Sequence, residues 1–122
     1  MIIEKIIREE INRVELKNKT QDLQRKIEGE YDVDLFIYYS QLQNVLVLSS
    51  IIIPKEKRGL GIGRKVMEMI CGFADVHGLK TLLTPTSEFG GNKEKLIKFY
   101  KSLGFKKNKD HRYRELMIRE PQ

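Results

Sequence analysis

Glycine at every second position in Arg58-Gly59-Leu60-Gly61-Ile62-Gly63 marks the part of this chain best suited to hold an anion. Without a Cβ in the way, backbone N–H groups in such a turn can approach a ligand closely. An apolar stretch, residues 45–53, precedes the turn, and an amphipathic stretch, residues 66–73, follows it. Strand, glycine turn and helix N-terminus together direct unpaired N–H donors and the positive end of a helix dipole at one point. A diphosphate is the usual occupant of such a site. The bases Lys55, Lys57, Arg58, Arg64 and Lys65 lie beside the turn, where a phosphorylated ligand would use them. The alternative is a tight strand-to-helix turn with no ligand. A dinucleotide fingerprint is disfavoured, because the spacing here is Gly-x-Gly-x-Gly and not Gly-x-Gly-x-x-Gly. Cys71, His77 and His111 show neither metal-ligand spacing nor the makings of a nucleophile–base pair, so no metal is expected. Cys71, among apolar neighbours, reads as a small buried hydrophobe.

The elements that must position this turn follow from periodicity. Residues 4–28 have helical spacing, with Ile3, Ile7, Ile11 and Val14 and then Leu23 and Ile27 on recurrent positions. Either Asn18-Lys19-Thr20 breaks the segment, with Thr20 capping a second helix, or one charged helix runs through. Gly29 is the expected stop. Residues 33–39 and 44–53 are rich in β-branched and aromatic types and are joined by a short polar link, which predicts an antiparallel hairpin. The second strand is apolar on both faces, as a central strand is, and Pro54 ends it. A helix is expected over 60–77, stopped by Gly78. A strand over 79–84 then runs parallel to 45–53 through a right-handed crossover. Residues 85–91 read as loop, Asn92 as an N-cap and 93–103 as the last helix. Residues 105–106 and 113–119 are expected closing strands.

The 122 residues suit a single domain, with 40% hydrophobic and 33% charged content. Neither a membrane span nor a secretory signal is visible, and one cysteine fits a reducing compartment, so a cytoplasmic setting is expected. The net charge of +6 favours polyanionic contacts. The basic tail at 106–114 reads first as a solvated loop and strand edge and second as a nucleic-acid patch.

The glycine turn, together with Phe99-Tyr100-Lys101-Ser102-Leu103-Gly104-Phe105, resembles the GNAT (GCN5-related) N-acetyltransferase superfamily over residues 33–119. Arg58, Gly61 and Gly63 meet its Arg/Gln-x-x-Gly-x-Gly/Ala motif. Leu83-Thr84-Pro85-Thr86-Ser87-Glu88-Phe89-Gly90-Gly91 is similar to a loop of a small bacterial and phage group within it. The resemblance implies an α+β fold, three-layered α/β, with a mixed, mostly antiparallel sheet and a splayed parallel strand pair. Here an N-terminal helical segment, residues 1–30, stands where the family's first strand is missing, and 33–119 form the acetyl-CoA-binding core of a single domain, 1–122. Acetyl-CoA is then the implied cosubstrate. Its diphosphate would lie on Arg58, Gly59, Leu60, Gly61, Ile62, Gly63 and Arg64, and its pantetheine on the backbone of Ile51, Ile52 and Ile53. Tyr100 stands where the family keeps a general acid; as a core aromatic it would need no such role. Glu88 is the nearest carboxylate for a general base, with a solvated loop position as the alternative. Family members carry a cofactor-binding asparagine seven residues before the tyrosine; that position is Lys93 here, and Asn92 is its neighbour.

The resulting expectation is an N-acetyltransferase acting on a primary amine of unknown identity. Set against it are an inactive GNAT-fold binding or inhibitor protein and a basic nucleic-acid-binding module. The N-terminal helix is also a candidate contact for a homodimer or a partner protein.

Overall fold

A computed structural model describes residues 2–86 and 92–122. Its elements are α1 (Ile2–Tyr31), β1 (Asp34–Ser40), β2 (Val45–Ile52), α2 (Ile62–Val76), β3 (Lys80–Leu83), α3 (Lys93–Ser102), β4 (Lys106–Lys107) and β5 (Met117–Arg119). The five strands form one mixed sheet in the order β1-β2-β3-β5-β4. The hairpin β1–β2 is antiparallel, and β2–β3 is the expected parallel pair. Among the described residues, no helix is long and apolar enough to cross a membrane.

α1 is one unbroken helix. Thr20 is not a cap but a buried residue in mid-helix, its hydroxyl donating to Leu16 O at 2.7 Å. That back-bond satisfies the hydroxyl and leaves the helix ladder intact. Gly29 does not end the helix either. The left-handed residue that ends it is Asp32, at φ 52°, whose N–H returns to Glu28 O at 3.0 Å.

Val45, Leu46, Val47 and Leu48 are all buried, as a strand covered on both faces requires. Leu46 and Leu48 join the main core with Leu35, Ile37, Ile27, Val66, Ile70 and Tyr100. Val45 and Val47 point the other way and join Leu82 and Ile118 beneath Tyr113. Residues 113–116 are not strand, contrary to expectation. Asn108 occupies their carbonyls: its side chain donates to Tyr113 O and Glu115 O, and its backbone N–H to Leu116 O. That web folds the segment into a loop and lays Tyr113 over the sheet.

β1 is an edge strand, and α1 covers that edge. Gln24 Oε1 accepts from Ile37 N at 3.0 Å and Glu28 Oε2 from Leu35 N at 3.4 Å. Helix side chains thus take the place of a neighbouring strand for two amides that would otherwise invite pairing.

At the opposite end of the sheet, Arg119 is buried against Asp75 on α2. Two nitrogens of its guanidinium meet the carboxylate at 2.7 and 3.1 Å, and its Nε donates to Leu103 O at 2.7 Å. The guanidinium, through these hydrogen bonds, holds the Asp75 carboxyl below the usual carboxylate range. A depressed carboxyl stabilises the fold above its unfolded pKa, and that contribution is lost as pH falls through the folded value. Chemical denaturation should therefore show stability declining below about pH 4 in the native protein. Asp75→Asn should lose about 2–3 kcal/mol at neutral pH and flatten that decline. Gln24→Leu should cost about 1 kcal/mol in the same measurement, because the Ile37 amide loses its acceptor.

Candidate functional site

β2 pairs with β3 over four residues only, Val45↔Lys80 to Leu48↔Leu83. β3 then ends, whereas β2 continues along β1 to Ile52. The divergence has a local cause. Phe36 faces Ser50 and Ile37 faces Leu48, so Ser49 is an extra residue, a β-bulge. A bulge bends its strand and increases its twist, and burial changes there from the fully buried run 45–48 to exposed Ser49 and Ser50. On the other side, the chain leaves the sheet at Thr84-Pro85, where proline offers no amide for pairing.

The resulting slot is a cleft of about 470 Å3. Ser49, Ser50, Ile51, Ile52 and Ile53 form one wall, Leu83, Thr84 and Thr86 the other, and Leu96, Phe99 and Tyr100 of α3 contribute the side chains that close it. Among the described residues, the β3-facing edge of β2 has no strand partner beyond Leu48, which suits its backbone to pairing with an extended ligand.

The glycine turn stands at one end of this slot. A short 3-10 turn, Lys55–Lys57, carries the chain out of β2, and Arg58 Nε donates back to Ile53 O at 3.1 Å. Gly61 is the N-cap of α2 at φ 78°, a left-handed conformation that L side chains rarely adopt, and open space lies where its Cβ would be. Arg58 N returns to Lys55 O at 3.3 Å, and among the described residues the next amide of the turn with a backbone acceptor is Lys65 N, which donates to Gly61 O at 3.2 Å. The amides before it belong to the helix end that has no intrahelical partners. Gly63 serves a different purpose: a Cβ there would lie 3.2 Å from Ile53 Cδ1, so glycine lets α2 start tight against the end of β2.

Tyr100 is positioned by α3. Asn92 caps that helix through Oδ1, which accepts from Glu94 N at 2.9 Å and Lys95 N at 3.4 Å. Tyr100 is buried between the rings of Phe99 and Phe105, at centroid distances of 5.4 and 5.7 Å. Burial pushes the phenol above its ordinary pKa. At neutral pH the phenol is protonated, and Tyr100 is among the residues that line the cleft.

Of the residues expected from sequence, Ile51, Ile52, Ile53, Arg58, Gly63 and Tyr100 line this one cleft. Gly59, Leu60, Gly61 and Ile62 form the turn at its end. Arg64 reaches across to α3, with its guanidinium 3.1 Å from Ser102 Oγ and 5.3 Å from the Phe99 ring centroid. Asn92 sits two helical turns from Tyr100, about 12 Å along the axis, with its oxygen committed to capping. Glu88 lies outside the described residues. The sequence reading assigned no part to Thr84, Thr86, Leu96 or Phe99. Two serines interrupting an aliphatic run are the one trace that the bulge leaves in the sequence.

A sequence model of the family described as "Acetyltransferase (GNAT) domain" matches residues 21–107. No curated protein matches the sequence. A solved structure titled "Crystal structure of Anti-CRISPR protein AcrVA5" is similar at 24% identity and a TM-score of 0.49, covering 69% of this chain and 87% of that one.

The turn makes a direct prediction. CoA should raise the melting temperature of the native protein. Gly61→Val should remove that rise, measured against the variant's own ligand-free melt, since the branched side chain strains the left-handed backbone and fills the open space over the amides.

Proposed function

The chain belongs to the GNAT acetyltransferase family, and we propose that it moves an acetyl group from acetyl-CoA to a primary amine by direct attack. The observation that carries this reading is the slot between β2 and β3, which opens beside the glycine turn and receives the Tyr100 ring. The residues fit the cosubstrate along its length. Orphan amides at the start of α2 suit its diphosphate, and the unpaired edge of β2 over Ile51, Ile52 and Ile53 suits its amide-bearing pantetheine arm. When bound, acetyl-CoA supplies a thioester carbonyl activated toward nucleophiles.

The chain's own contribution is threefold. Backbone N–H groups of the bulged strand would hydrogen-bond the carbonyl oxygen as negative charge grows there. The walls of the cleft would orient the thioester toward an amine entering past exposed Ser49 and Ser50. Tyr100 holds a proton on its phenol oxygen and releases it toward the departing sulfur. Deprotonation of the incoming ammonium is assigned to Glu88 within this proposal, directly or through water.

Tyr100→Phe tests the assignment with the least change in shape. The variant should keep the thermal shift with acetyl-CoA and lose about 100-fold in kcat. Acetyl transfer to a panel of amines, followed by release of free thiol, checks it. An unchanged rate would remove the phenol from the mechanism.

A further inference from the structure

Among the described residues, the apolar stripe on the first half of α1 is not buried against the domain. Ile3, Ile7, Ile11 and Val14 are each at least 50% exposed, and residues 2–15 are exposed throughout. Packing onto the domain begins at Leu16 and continues through Thr20, Leu23 and Ile27. At about 100° per residue, the free stripe and the docked stripe lie roughly 160° apart around the helix. The free stripe is therefore a second face and not an extension of the first. A helical half of this length is marginal in water unless its apolar side is covered.

We propose that a second copy of this chain covers it, the two α1 helices pairing antiparallel through residues 7–18. The charges choose this occupant and this orientation. With Ile7 and Val14 at d positions and Ile11 and Asn18 at a positions, Arg8 and Glu15 fall at e, and Glu10 and Lys17 at g. Antiparallel helices set e against e and g against g. Ile11 then packs on Val14 of the second copy, and Ile7 on its Asn18. In that register Arg8 meets Glu15 of the second copy and Glu10 meets its Lys17, each pair occurring twice by symmetry. Parallel pairing would set Glu10 against Glu15. Sliding the antiparallel pair by one heptad would set Glu10 on Glu10 and Arg8 on Arg8. Between residues 2 and 19 the acids Glu4, Glu9, Glu10 and Glu15 nearly balance the bases Lys5, Arg8, Arg13, Lys17 and Lys19. Such interleaving suits a matched helix better than an anionic membrane, which selects a predominantly basic face.

Sedimentation equilibrium of the full chain tests this from micromolar to hundred-micromolar concentration. The expected result is a two-chain mass at the upper end, reduced to one chain by Ile11→Glu with no change in the domain's melting temperature. Glu10→Lys alone and Lys17→Glu alone should each weaken the dimer about tenfold, and the two together should restore it. A one-chain mass at every concentration would overturn the proposal, as would a dimer that survives Ile11→Glu. Failure of the double exchange to restore pairing would overturn the antiparallel register. Pelleting of one-chain protein with phosphatidylserine vesicles would give the stripe to a membrane surface instead.

Discussion

The site depends on an interruption in hydrogen bonding. β2 and β3 share a ladder for four residues and then part, because Ser49 bulges out of one strand and β3 gives way to Thr84-Pro85. Peptide groups are stabilised when paired or solvated, so a central strand with an open edge is costly to leave dry. The same edge is a row of directional donors and acceptors already held in place. What the fold forgoes in strand pairing it keeps available for a ligand of extended backbone-like shape. α2 starts tight against the end of β2 because Gly63 accommodates Ile53, and this keeps the anion-binding turn in line with that edge.

Keeping the slot open requires the rest of the sheet to be held closed. At the β1 edge the clasp is α1, whose Gln24 and Glu28 satisfy amides that a neighbouring strand would otherwise take. At the other end, Arg119 joins β5 to Asp75 of α2 and to the carbonyl that ends α3. Between these, Arg64 ties the first turn of α2 to Ser102 and Phe99 on α3. The cleft is thus bounded by elements fixed to each other at points outside it, a requirement for holding reactive groups to within fractions of an ångström.

Features that depend on local chemistry were legible in the sequence. The hairpin, the fully buried 45–48 run, the crossover to a parallel strand, the glycine turn and the Asn92 cap all follow from residue types over short windows. Where neighbours decide, the sequence misled or was silent. Gly29 looked like a helix stop, yet the chain turned at Asp32, because α1 keeps its last turn to reach the edge of β1. The expected strand over 113–116 was lost to Asn108, whose side chain competes for carbonyls by a contact no periodicity records. The pairing of Asp75 with Arg119 spans 44 positions and leaves no local mark. The turn and Tyr100, which the structure brings to one cleft, could be picked out from their motifs. The bulge could not, since two serines in a strand are equally compatible with a solvent-facing end.

Tyr100's environment also limits how it can act in the proposed reaction. Its phenol sits above the ordinary value of about 10, and a departing thiol has a pKa of about 8.5. The phenolate is thus a stronger base than the departed thiolate, and complete transfer of the proton ahead of carbon–sulfur cleavage is uphill, since a sulfur still bonded to carbon is less basic again. A donor so placed is most effective while the proton is shared, stabilising charge on sulfur as that charge develops and regaining its own proton from solvent afterwards. The burial between Phe99 and Phe105 that raises the phenol also confines its ring, so in the proposed reaction a directional hydrogen bond would need little reorganisation. A more exposed tyrosine would be a slightly stronger acid but a less well-aimed one.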